Sequence, residues 1–189
     1  MSSAFSDILT FWYGSSYDHS ELKPQEFWFK STHELDQDIS RQFMATYEAA
    51  LNGTFDNSVQ TLDEYLAIIL LFDQLPRNMF RGTPQAFATD ATALQWAKKA
   101  LELGFDQKQI SVHRRIFFYM PFEHSENLDD QNQSVHLIAQ TGEEGYSRFV
   151  EAHRDVIQKY GRFPHRNAIL GRDSTPEELV YLSTKGAGF

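Results

Sequence analysis

The chain has 189 residues, 41% of them hydrophobic and 14% aromatic, with phenylalanine alone occurring 16 times; this is enough to pack a core without disulfides or metal staples, and it excludes a disordered chain. There is no cysteine, so disulfides, thiol catalysis and cysteine–zinc sites are excluded together. A net charge of −9 argues against nucleic acid and anionic membranes as partners, because both select basic surfaces.

From the N-terminus, "MSSAFSDILTFWYG" lacks a basic leading region and carries Asp7 early, which does not fit a signal peptide. The first helical signal is "PQEFWFK", with Pro24 suited to a first helical position. From Glu34 to Leu51 the apolar residues Leu35, Ile39, Phe43, Tyr47 and Leu51 recur every fourth position, which predicts one helix face closed near Gly53. Thr61 and Glu64 form a Thr-x-x-Glu capping box ahead of "YLAIILLF" (65–72). That run could be a buried strand, but the cap and the length favour a helix. It is the longest apolar run and falls well short of the roughly 20 residues of a membrane span, so the expectation is a soluble, cytoplasmic protein.

Asp90 to Leu103 predicts a further helix ended by Gly104. Residues 107–119, 127–140 and 143–160 are read as helices, the first by its neighbours more than by its composition. Ser174 and Glu177 read as another capping box, with Pro176 in its first turn and a last helix running to Ser183; the tail "KGAGF" has no core pattern. No alternating strands, hairpin turns or βαβ rhythm occur. The expectation is an all-α fold, a single compact domain of about eight or nine helices packed as antiparallel pairs.

Three prolines follow a bulky apolar residue, and each is followed by a charged cluster. Leu75-Pro76 gives Arg77, Asn78 and Arg81, with Asp73 and Gln74 just before. Met120-Pro121 gives Glu123, His124 and Glu126, with Gln131 further on. Phe163-Pro164 gives His165, Arg166, Asn167 and Arg172, with Arg162 before it. Helices commonly end before a proline, which makes these three helix junctions. Polar groups among large apolar residues are costly unless they are paired or engage a ligand. Arginine and carboxylate match each other in bidentate geometry, so a buried network tying helix ends together is one reading. A ligand pocket uses the same materials, and the surplus of Arg, Asn and His over local acids favours it. Nine of the ten arginines lie in residues 73–189, while residues 1–72 carry 3 Lys/Arg against 11 Asp/Glu.

The matching of "ILTFWYG", "LLFDQLPRNMFRGTPQAFATD", "RRIFFYMPFEHSENLDDQNQSV" and "HRDVIQKYGRFPHRNAILGRDSTPEEL" makes the chain resemble the domain of unknown function 924 family over residues 8 to about 180. The resemblance implies an all-helical, tetratricopeptide-like fold and no established activity. Met120 stands where the family pattern leads one to expect leucine.

Other chemistries lack their signatures. There is no His-Glu-x-x-His, and adjacent Glu123 and His124 point about 100° apart on a helix, so no metal site is expected. A nucleophile elbow, a glycine-rich dinucleotide loop and a Walker lysine are all missing, and nothing asks for a cofactor. His153 shares a face with Tyr146, Phe149, Val150, Ile157 and Tyr160; it is either a hydrogen-bonded core residue or a pocket base. The leading expectation is a pocket for a small anionic, partly aromatic molecule. Arg77, Arg81 and Arg166 would clamp the anion; Gln74, Asn78, Gln131 and Asn167 would orient it. Glu123 and His124 would move a proton, with His153 and His165 in the lining. The alternative is a tetratricopeptide-like module that binds a peptide or protein partner, its arginine network purely structural.

Overall fold

The computed structural model describes residues 3–15, 22–109 and 111–188. Among these residues the regular structure is entirely helical: α1 (Ser3–Tyr13), α2 (His33–Leu51), α3 (Leu62–Asp73), α4 (Leu75–Met79), α5 (Asp90–Glu102), α6 (Val112–Glu123), α7 (Leu128–Ala139), α8 (Glu144–Tyr160) and α9 (Pro176–Leu182), with three short 3-10 turns. None of these helices is long and apolar enough to cross a membrane. The contacts divide the chain into two compact units: unit 1 is 1–81 with 85–121, and unit 2 is 82–84 with 122–189. The chain passes between them at 81/82 and 84/85 in the segment after α4, and inside α6 between Pro121 and Phe122.

In unit 1 the organising element is α3. Every residue from Glu64 to Asp73 is buried. A helix that is apolar all round must be covered all round, and α1, α2, α4 and α5 pack on it. Its start is fixed by the reciprocal capping box, in which Thr61 accepts from the Glu64 amide and Glu64 reaches back to the Thr61 amide. A stripe of alanines on α5, Ala93, Ala97 and Ala100, is fully buried and presents little side-chain bulk to its neighbour. Trp12 of α1 stacks nearly parallel on Trp28 at 6.3 Å, and Phe117 of α6 meets both edge-on at 5.5 and 5.0 Å. The Trp28 indole N–H donates to the Trp12 carbonyl at 2.8 Å.

In unit 2, α7 packs along α8, and α9 packs on the 3-10 turn Pro164–Arg166. Val156, Ile157 and Phe163 form a small core, against which Tyr160 and Tyr181 pack. The side-by-side packing of helices in both units is compatible with tetratricopeptide-like architecture.

Three local expectations need correction. The helix expected from Pro24 is only the 3-10 turn Glu26–Trp28, because Gln25 is extended and the Trp28 indole is anchored on the Trp12 carbonyl. Pro121 does not end its helix: α6 continues to Glu123. An internal proline costs about 3 kcal/mol. Phe117, Phe118 and Phe122 are all fully buried, each worth about 1.5–3 kcal/mol of transfer, so burial outweighs the local rule. The last capping box is Thr175 with Glu178, one residue later than the Ser174–Glu177 reading. Pro176 occupies the first helical position, which makes Thr175 the cap. The helix expected over 107–119 includes position 110, outside the described residues, as is the last residue of the tail.

Candidate functional site

The first junction belongs to unit 1, and its cations meet acids both local, Arg77 lying 4.0 Å from Asp73, and distant in sequence. Arg77 donates from Nη2 to Asp90 Oδ1 at 2.7 Å and from Nη1 to the Ala86 carbonyl, with its guanidinium over the Phe87 ring at 4.8 Å. Asp36 on α2 receives Arg81 Nε at 2.6 Å, Arg81 Nη2 at 3.0 Å and Asn78 Nδ2 at 2.7 Å. Burial pushes the Asp36 carboxyl up, but the hydrogen bonds from Arg81, Asn78 and Ser31 outweigh it and hold it low. Gln74 donates to Asp73 Oδ2 at 2.5 Å. Asn78 and Arg81 line an open groove of about 290 Å3 with His33, Asp36 and Ser40. A second open groove of unit 1, about 490 Å3, runs between α1 and α2 beside Asp7, Phe11 and Gln42 and contains none of the expected site residues.

The polar groups of the other two junctions meet in unit 2. Glu126 accepts Arg172 in a bidentate pair at 2.7 and 3.0 Å and accepts the Phe163 amide at 2.8 Å, while Arg172 also donates to the Phe163 carbonyl at 3.1 Å. One carboxylate thus holds both ends of the turn around Phe163. Burial pushes Glu126 up; the Arg172 hydrogen bonds, the Phe163 amide and the charges of Arg172 and Arg166 outweigh it and hold the group low. Behind this turn Arg162 forms a second bidentate pair with Glu178, at 2.7 and 2.8 Å. Those Arg162 hydrogen bonds, helped by the Thr175 amide and Asn167, hold Glu178 at about 2 in spite of burial.

Two of the residues expected to orient a ligand serve the scaffold here. Gln131, fully buried on α7, donates to the carbonyls of Glu123 and Ser125 at 2.5 and 2.7 Å, which closes the C-terminal end of α6. Asn167, also fully buried, donates to Ser174 Oγ at 3.0 Å and Glu178 Oε2 at 3.3 Å.

The remaining groups surround Phe163. Arg166, 6% exposed, lies with its guanidinium 4.6 Å from the Phe163 centroid. His165 meets the same ring at 5.4 Å, and His153 of α8 meets it edge-on at 5.6 Å. His153 Nδ1 lies 2.8 Å from the Phe149 carbonyl and 3.0 Å from Glu123 Oε1. Both neighbours are acceptors, so Nδ1 carries the proton and the ring's lone pair sits on Nε2. The imidazole partner of Glu123 is therefore His153, while His124 follows half-buried just past the end of α6.

Among the described residues no group of three or more His, Asp or Glu side chains is arranged to hold a metal ion. The acids Asp36, Asp90 and Glu178 were not singled out by sequence reasoning. Only Glu178 had a local signal, its place three residues after Thr175.

The family model for bacterial proteins of unknown function, DUF924, matches residues 8–186. A solved structure of a protein of unknown function from Agrobacterium tumefaciens is similar: 37% identical, with 95% of this chain and 96% of that one covered and a TM-score of 0.85. Among curated proteins none matches.

Proposed function

We propose, for a chain that belongs to the DUF924 family of bacterial proteins of unknown function, that unit 2 binds a small anionic molecule beside Phe163 and moves a proton through the Glu123–His153 pair. The observation that carries this reading is the buried carboxylate at 3.0 Å from a histidine whose tautomer it sets, around a ring that Arg166 and His165 also touch. A base held by an orienting carboxylate, with a guanidinium nearby, has the parts of acid–base chemistry on a carboxylate or phosphate substrate. Arg166 supplies the positive charge, His165 a further donor, and His153 Nε2 takes or returns the proton. Arg77, Asn78, Arg81 and Gln74 have roles in unit 1 that do not require a ligand, so they stand outside the proposed site.

The competing reading is a helical module for a peptide or protein partner, with its arginines serving only as a lock. The two bidentate pairs, Arg172–Glu126 and Arg162–Glu178, favour it. A thermal-shift screen across small carboxylates, phosphates and nucleotides separates the two. A ligand at about a hundred times its Kd adds about 2.7 kcal/mol, and a Tm rise of about 5–10 °C follows for a chain of this size. Arg166→Ala should stay folded by circular dichroism and lose that shift. If no anion moves the Tm, or if Arg166→Ala unfolds the chain, the lock is the better account.

A further inference from the structure

The segment after α9 lies against the candidate site. Gly188 has a φ of +91°, in the region open mainly to glycine, and a methyl group on its Cα would sit 3.0 Å from His165 Cβ and 3.2 Å from its Cγ. A side chain at this position would press on His165 and require it to shift by a few tenths of an ångström. Gly186, two residues before, is also left-handed, at +87°. The Gly188 amide donates to the Tyr181 hydroxyl at 3.3 Å, and the Tyr181 ring packs on Tyr160 of α8 at 5.4 Å. Closer to α9, the Thr184 amide donates to the Tyr181 carbonyl at 2.9 Å, and the Ala187 amide to the Thr184 carbonyl at 3.2 Å. Lys185 and Gly186 are exposed, whereas Ala187 and Gly188 are half-buried where the segment comes down beside His165.

We infer that residues 184–188 form a strap that closes over His165 and controls access to the ring cluster around Phe163. The inference rests on the ligand site proposed above and adds its regulation. Three features support it. The contact is made by backbone at a glycine, so it holds no bulky side chain that would fix it as core. One hydroxyl, that of Tyr181, takes the amide at the contact point. The two left-handed glycines on either side of Ala187 let the chain turn down to the histidine and lift away again without disturbing α9. His165 and His153 both meet the Phe163 ring, so a ligand that engages His165 from the side of Gly188 displaces the strap.

The test is the rate at which diethyl pyrocarbonate modifies His165, followed by mass spectrometry in the full-length chain, with His136 on the exposed side of α7 as internal reference. Tyr181→Phe removes the acceptor and keeps the ring packing; Gly188→Ala puts a methyl group where the strap touches. The His165/His136 ratio should rise about fivefold in Tyr181→Phe, the factor that one neutral hydrogen bond of about 1 kcal/mol is worth, and should also rise in Gly188→Ala. An unchanged ratio in both variants overturns the strap. Inorganic phosphate, added as the probe, should slow His165 modification in Gly188→Ala more than in the unmodified chain. If it slows neither while the ratio still rises in the variants, the ligand reading fails and the strap stands.

Discussion

At Glu178 one carboxylate takes two hydrogen bonds from Arg162, one from the Thr175 amide and one from Asn167, and its pKa is held at about 2 against an ordinary value of 4.5. Between those values the unfolded chain binds a proton that the folded chain does not, so stability rises with pH. The contribution is fully present above about pH 4.5 and is lost as pH falls through about 2. Denaturant unfolding of Glu178→Gln should therefore show a deficit at pH 6 that shrinks on acidification and vanishes near pH 2; a deficit independent of pH would contradict the assignment. Residue by residue, the sequence shows which polar groups are unusual and hides their partners. Arg81 and Asp36 are 45 positions apart, and Arg172 and Glu126 are 46 apart. The arginine surplus read at each junction is local; tertiary folding brings in the acids. The pairing of Glu123 with His153 was equally hidden, since adjacency in sequence pointed to His124.

At the scale of elements, what was legible was what is locally encoded. The Thr61–Glu64 box appears as read, and Ile39, Phe43 and Tyr47 of α2 are buried as their fourfold period predicts, but Leu51 at the helix end is 53% exposed and Ala50 is buried instead. Where local rules competed with burial, burial prevailed, as at Pro121 inside α6. The shifted box at α9 was legible in principle, because a proline at the first helical position names its predecessor as the cap. Thr61→Ala removes the acceptor for the Glu64 amide while leaving that helix buried. It should cost about 1 kcal/mol, within the range of about 0.5–2 for lost caps, measured as a shift in urea midpoint at unchanged slope. Thr61→Ser should recover most of the loss.

On the scale of the molecule, an aromatic-rich composition became a set of ring contacts in unit 1. Phe117 is fully buried and touches the rings of Trp12, Tyr13 and Trp28. Phe117→Ala should destabilise by about 3–5 kcal/mol, the usual range for an aromatic removed from a core, read from denaturant unfolding followed by indole emission. A loss under about 1 kcal/mol would mean that the neighbouring rings collapse into the space. The all-helical class was legible from periodicity and from the lack of alternating segments. The division into two units was not, because its crossing between Pro121 and Phe122 lies inside α6, with no loop to mark it.

All three tryptophans, Trp12, Trp28 and Trp96, belong to unit 1, while His153, His165 and the strap belong to unit 2. The stacked indoles give unit 1 an intrinsic optical reporter that unit 2 lacks. Four of the seven histidines, His124, His136, His153 and His165, lie in unit 2, and their imidazole resonances, once assigned, give it a magnetic one. Indole emission and the assigned imidazole resonances of unit 2, recorded on one unlabelled sample, can then follow the two units as separate signals.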